Sequence, residues 1–234
     1  MIEPEGGFDV APVTIAIDGP AGAGKSTVAK RVAERLNLMY VDTGAMYRAV
    51  AYLCAQEGID VNSERAVEAV LDAHRVSFEE GEDRTLQVLI DGVNVTSRLR
   101  APEVSALVST VAAHPRVRQL LTEWQRAFAE RHSVVMDGRD IGTVVLPHAT
   151  VKVFLTAAPE ERARRRQEEY RRMGYEVPLD EMVKNVIERD RKDSERAVAP
   201  LRMAEDAVRI DSTDKSVDSV VDEIVQLVEN AHVR

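Results

Sequence analysis

The stretch that most constrains this chain is Gly19-Pro20-Ala21-Gly22-Ala23-Gly24-Lys25-Ser26-Thr27, which follows Asp18 and the apolar run Val13 to Ile17. Its spacing matches G-x-x-x-x-G-K-[ST], a loop that cradles nucleotide phosphates. The glycines permit backbone conformations in which successive N–H groups converge on an anion, and a helix starting near Lys25 adds the positive end of its dipole. Lys25 is expected to reach the β- and γ-phosphates, with the Ser26 hydroxyl in the shell of a magnesium ion (Mg²⁺). The flanks agree. Val13 to Ile17 reads as a buried strand, and Val28, Val32 and Leu36, with Ala29 and Ala33 between them, recur at helical spacing.

The 234 residues suit a single α/β domain, 1–234, with insertions. With 31 Lys+Arg against 40 Asp+Glu the formal charge is −9, which argues against a nucleic-acid partner, so a phosphate site must be a local basic pocket. Cys54 is the only cysteine; it excludes an internal disulfide and reads as a small buried apolar residue. No stretch approaches the ~20 apolar residues of a membrane span, and the N-terminus lacks a basic flank and an apolar segment. A soluble, cytoplasmic protein with no membrane partner is expected. Residues 1–11, rich in Glu, Pro and Gly, are expected to be a mobile extension.

Along the chain, Leu38 to Val41 predicts a short strand, and Asp42 or Thr43 caps a helix running to about Glu57 with Tyr47 and Arg48 on its first turns. Between about 63 and 105 the character changes: a charged helix, then Arg75 to Phe78, an acidic turn and the alternating run Leu86 to Ile90. Asp91-Gly92 before Val93-Asn94-Val95 signals a hairpin, so this segment reads as an antiparallel insertion. Two helices follow around Val104 to Val111 and Val117 to Phe128, the second with Trp124 and Phe128 on its core face. Ser133 to Asp137 is a second buried strand, ending where ligands collect in open parallel sheets. Asp137 is therefore the candidate acid for magnesium, directly or through water. After a strand at Val151 to Leu155, residues of about 160–175 form an arginine-rich helix, Arg162 to Arg172, whose place in the chain suggests a lid. A helix over 179–192 directs Met182, Val183, Val186 and Ile187 inward, Ala207 to Ile210 is the last strand, and Val217 to Val228 stripe a closing helix.

A phosphate loop specifies nucleotide binding and leaves the reaction open. A GTPase wants D-x-x-G and N-K-x-D, and neither occurs; a motor ATPase wants an acid after the strand-end Asp, where Gly138 stands. Small-molecule kinase chemistry remains, and Arg48, Arg139, Arg189 and Arg196 offer cations from several segments to hold two anionic substrates. A nucleoside monophosphate, whose second pKa is ~6, brings an ionised attacking oxygen and needs no general base. None of His74, His114, His132, His148 or His232 sits in a motif.

Five motifs in order, Ile17 to Thr27, Asp42-Thr43-Gly44-Ala45-Met46-Tyr47-Arg48, Asp137-Gly138-Arg139-Asp140-Ile141-Gly142-Thr143, Arg196-Ala197-Val198-Ala199-Pro200-Leu201 and Asp211-Ser212-Thr213, closely resemble bacterial cytidylate kinase, from about residue 13 to 230. The resemblance implies a nucleoside monophosphate kinase fold with a parallel five-stranded sheet, and phosphoryl transfer from ATP to CMP and dCMP with Mg²⁺. Another monophosphate such as UMP is the alternative acceptor. It further implies that the 63–105 segment is the monophosphate-binding insertion; a monomer is expected. Carried residue by residue, Thr43, Arg48, Arg139 and Arg196 hold the CMP phosphate side, Ser109, Arg118 and Asp140 read cytosine, and Asp193 meets the sugar. Arg165, Arg166 and Arg189 act from the lid on the ATP phosphates. The family often has Ser where Thr43 stands, a change that keeps the hydroxyl.

Overall fold

The computed structural model describes residues 12–232, so the expected extension lies outside the described residues. The first strand, β1 (Thr14–Asp18), turns through the glycine loop into α1 (Lys25–Leu36), followed by β2 (Met39–Asp42) and α2 (Thr43–Glu57). The Asp42 side chain caps α2 by accepting the Ala45 N–H at 2.9 Å, and Gly58 ends it in the left-handed region.

The insertion comprises α3 (Glu64–Ala73), β3 (Val76–Glu80), β4 (Leu86–Ile90) and β5 (Val93–Asn94) in one antiparallel sheet. Asp91 and Gly92 have φ of 50° and 80°, the positive pair that a two-residue hairpin turn needs. Val88 and Ile90 pack on Ala45, Ala49 and Leu53, so the insertion rests on one flank of α2.

The chain returns through α4 (Pro102–Val111), α5 (Pro115–Ala129) and β6 (Val134–Gly138), then a π-helical turn at Ile141–Val145 and β7 (Val151–Thr156). It closes with α6 (Pro159–Arg172), α7 (Leu179–Glu195), β8 (Val208–Asp211) and α8 (Val217–His232). The main sheet is parallel and five-stranded, in the order β2-β6-β1-β7-β8. This is the α/β architecture expected from the sequence, with the small antiparallel sheet where the hairpin signal lies.

Alternation along β1 explains why both sheet faces are covered. Ile15 and Ile17 pack with Val28 and Val32 of α1 and Ile224 of α8, whereas Ala16 faces Met46 and Val50 of α2 with Val104 and Val117 beyond. Trp124 and Phe128 pack half-buried against the core on the expected face: the Trp124 ring lies 4.8 Å from Phe78 of the insertion and 5.0 Å from Phe128. Two expectations need correction. Ile187 is 52 % exposed, because α7 packs on α6 along the narrow line of Met182 and Val186 and leaves the next position outside. Val217, at the first turn of α8, is also exposed, since the stripe closes on the sheet only from Val220 onward.

Candidate active site

The loop after β1 is bent against two other segments. A Cβ at Gly19 would overlap the Leu155 carbonyl oxygen, and one at Gly22 would come within 2.8 Å of the Arg162 carbonyl oxygen; both glycines have positive φ. Arg162 of α6 braces the loop by donating to Ala21 O at 3.1 Å and Ala157 O at 2.9 Å, while pairing with Asp190 of α7 at 2.6 Å. Ser212 donates to Ala23 O at 3.1 Å. Lys25 is buried and donates to Pro20 O at 2.7 Å. Burial, with Arg139 adding repulsion, holds its ammonium well below the usual lysine range.

Beside the loop stand the ends of β2 and β6. Asp137 accepts from Ser26 Oγ at 3.1 Å and from the Tyr40 hydroxyl at 2.8 Å, and its carbonyl accepts from Thr43 Oγ1 at 2.7 Å. It has no ion pair among the described residues, and burial together with nearby Asp42 raises its pKa. Ser26 and Asp137 thus present hard oxygen donors side by side. No group of three or more His, Cys, Asp or Glu that could hold a metal occurs among the described residues. The donor set suits Mg²⁺, which takes one or two protein oxygens and completes its shell with phosphate and water.

The middle of the cleft is cationic. Arg48, Arg139, Arg166 and Arg189 converge from α2, the end of β6, α6 and α7. Arg139 is held by Asp193 at 2.9 Å. Arg48 lies 3.7 Å from Asp42, and its Nε, like that of Arg189, is buried without a hydrogen-bond partner among the described residues. Burial, reinforced by repulsion from Arg166 and Arg139, pushes Arg189 down to about 9. Such a group is electrostatically costly until an anion enters it.

At the far end Arg118 and Asp140 form a buried ion pair, their side chains 4 % and 6 % exposed, and Arg196 joins Asp140 at 3.3 Å. The Arg118 guanidinium lies 5.3 Å over the Tyr47 ring. Asp193 accepts from Ser109 Oγ at 3.0 Å as well as from Arg139. Burial alone would raise Asp193, but Arg139, Arg189 and Arg196 together outweigh it and hold the carboxyl low.

One cleft of ≈ 830 Å³ joins these parts. Ala21, Gly22, Ala23, Gly24, Lys25, Ser26, Thr27, Thr43, Arg48, Ser109, Arg118, Asp137, Arg139, Asp140, Arg165, Arg166, Arg189, Asp193 and Arg196 all line it; Gly19 and Pro20, expected with them, do not. The two adjacent arginines of α6 diverge. Arg165 donates to the Ser212 hydroxyl at 3.0 Å and its carbonyl at 2.7 Å beside Gly24, whereas Arg166 lies over Tyr170 at 4.9 Å and faces Arg48 and Arg189. The sequence assigns no role to Asp18, Tyr40, Arg100 or Ser212, and marks Arg162 only as one arginine of the helix over 160–175. Asp18 and Ser212 stand inside quoted motifs, so a charged or polar residue at a buried strand end was their signal. Arg100, which bridges Asp42 at 2.8 Å and Glu169 of α6 at 3.1 Å, carries no local mark.

Comparison with known proteins follows the same lines. The family model described as cytidylate kinase matches residues 15–230. A cytidylate kinase of Desulforamulus reducens is 53 % identical over 215 residues, covering 92 % of this chain and 96 % of its own length. One from Pediococcus pentosaceus is 49 % identical over 220 residues, covering 94 % and 97 %. Among solved structures, an uncharacterised protein from Eubacterium ventriosum shares the fold with a TM-score of 0.51 at 14 % identity, covering 93 % of this chain and 98 % of that one. With the family model matching most of its length and relatives near half identical, the chain belongs to the cytidylate kinase family.

Proposed function

We propose that this protein transfers the γ-phosphoryl group of ATP to CMP and dCMP, giving CDP and dCDP. The observation that carries the reading is the pair of buried Arg48 and Arg189 Nε atoms, without a hydrogen-bond partner among the described residues, in a ring of mutually repelling arginines. That arrangement suits a dianionic phosphate, and it lies between the phosphate loop and the Arg118–Asp140 pair.

In this reading the loop N–H groups and Lys25 hold the donor phosphates, and Arg48, Arg139 and Arg196 hold the acceptor phosphate. Arg166 and Arg189, close to both, cover charge on the group in transit; Arg165 supports the donor loop. The acceptor oxygen is already ionised near neutral pH, so the chain's task is to align and to screen. Ser26 and Asp137 would hold Mg²⁺, which supplies charge neutralisation on the donor phosphates. Asp140, fixed by Arg118, accepts from the cytosine amino group, with Ser109 beside it, and Asp193 faces the sugar. The insertion over 63–105 and the helix over 160–175 flank the cleft as monophosphate-binding segment and lid. A monomer in the cytoplasm is part of this reading; no described helix is long and apolar enough to cross a membrane.

A coupled assay offering ATP with each monophosphate in turn tests the reading. CMP and dCMP should be turned over well ahead of UMP, AMP and GMP. Equal turnover of AMP or GMP would sink the cytidylate assignment.

A further inference from the structure

Asp18 ends β1 one residue ahead of Gly19 and is 5 % exposed. Its Oδ1 accepts the Ile141 N–H at 2.8 Å and its Oδ2 the Gly142 N–H at 2.7 Å. Those two donors open the π-helical turn Ile141–Val145, whose N-cap position is Asp140. An aspartate at such a position ordinarily satisfies the free N–H groups itself. Asp140 makes no capping bond, because its carboxylate is committed to Arg118 and Arg196. Asp18 supplies the cap from the neighbouring strand instead. Gly142 leaves it room: a Cβ there would stand 3.4 Å from Asp18 Oδ2 and 3.1 Å from Lys152 Cδ. π-Helical geometry is rare, and where it occurs it is frequently found at functional sites.

We propose that Asp18 is a positioning residue for base selection: by holding the 141–142 backbone it releases the Asp140 carboxylate from capping and keeps it aimed at the base. The proposal rests on the reading of the acceptor pocket given above. It also joins the root of the phosphate loop to the base-reading turn through one side chain. Burial raises the Asp18 carboxyl to about 6, the two N–H bonds opposing, so near neutral pH it is a charged double acceptor.

The test is steady-state kinetics of the full chain with ATP against CMP and UMP, for the wild type, Asp18→Asn, Asp140→Asn and the double variant. Asparagine retains one acceptor for two donors. The kcat/KM for CMP should fall about tenfold and that for UMP by much less, narrowing the CMP/UMP ratio, while the KM for ATP stays within about twofold. In the Asp140→Asn background, Asp18→Asn should leave the ratio where it is, since it acts through Asp140. Equal losses on both acceptors, a change centred on the KM for ATP, or independent effects on the ratio in the double variant would overturn the proposal. Should Asp18→Asn not purify folded, Asp18→Glu displaces the same carboxylate and is held to the same narrowing. A wild type indifferent between CMP and UMP sinks the pocket reading and this proposal with it. A selective wild type whose ratio Asp18→Asn leaves unmoved sinks the proposal alone.

Discussion

Asp42 on β2 and Asp137 on β6 are register partners at the carboxyl ends of adjacent parallel strands, yet their carboxyl groups are driven in opposite directions. Burial would raise both. At Asp42, Arg48, Arg100 and the Ala45 N–H outweigh it and hold the pKa low; at Asp137, with no ion pair, burial and the charge of Asp42 prevail. One strand end is a neutralised anchor for the arginines. The other is a buried acid with no ion pair among the described residues.

The first prediction follows from that difference. Asp137→Asn deletes a buried charge that Lys25 and Arg100 offset only in part, so thermal stability should hold or rise, while the Mg²⁺ concentration for half-maximal rate should increase about tenfold or more. Magnesium titration of the rate beside a melting curve checks both. A collapse in Tm with an unchanged magnesium dependence would make Asp137 a structural anchor for Tyr40 and Ser26.

Lys25→Met keeps most of the side-chain bulk and deletes the charge proposed to hold the donor phosphates. The kcat should fall by about 10²–10³ or more while circular dichroism is unaltered, since the variant also loses the cost of a buried ammonium. Most of kcat surviving in a folded variant would refute the loop assignment.

The two adjacent arginines of α6 should separate. Arg166 faces other arginines, so Arg166→Gln should lower kcat by about a hundredfold, raise the KM for CMP much less and leave Tm level or higher. Arg165 is tied to Ser212, so Arg165→Gln should cost about 1–2 kcal/mol of stability and lose less kcat. Urea unfolding run beside the kinetics reads both; the reverse pattern would exchange the roles.

Much of this was legible in the sequence because it is local. The loop from Gly19 to Thr27, the Asp91-Gly92 hairpin and the apolar stripe of α8 each declare themselves within a dozen residues. The strand ends could be marked as ligand positions because a parallel sheet gathers them. What stayed hidden depends on tertiary juxtaposition. Arg100 reaches Asp42 and Glu169 across 58 and 69 positions, and Asp18 reaches Ile141 across 123. Arg165 and Arg166 are adjacent in sequence and read as one lid, but neighbouring helical positions diverge by about 100°.

Asp18 gives a pH prediction of definite sign. With its folded pKa raised from 3.8 to about 6, the native state binds the proton more tightly than the unfolded chain. Its contribution to stability is therefore greatest at acid pH and is lost as pH rises through that window, by on the order of 3 kcal/mol. The stability advantage of wild type over Asp18→Asn should shrink between pH 4 and pH 7 in urea titrations. An advantage that grows with pH would contradict burial as the dominant influence.

The choice of base turns on which edge of the ring carries a donor. Cytosine offers its N4 amino group, which a carboxylate accepts, whereas uracil presents the O4 acceptor at that place. Asp140 should therefore favour CMP and repel UMP. Truncation to alanine is a poor probe here, because it would leave Arg118 buried without its partner at a cost of about 3–5 kcal/mol. Asp140→Asn retains an oxygen for Arg118 and removes the charge that excludes uracil. Losing a charged hydrogen bond in a desolvated pocket costs ~1.5–3 kcal/mol, so kcat/KM for CMP should fall by about one to two decades while that for UMP falls much less or rises. Equal losses on both acceptors would make Asp140 a partner of Arg118 and Arg196 only, and would pass the reading of cytosine to Ser109 and the backbone.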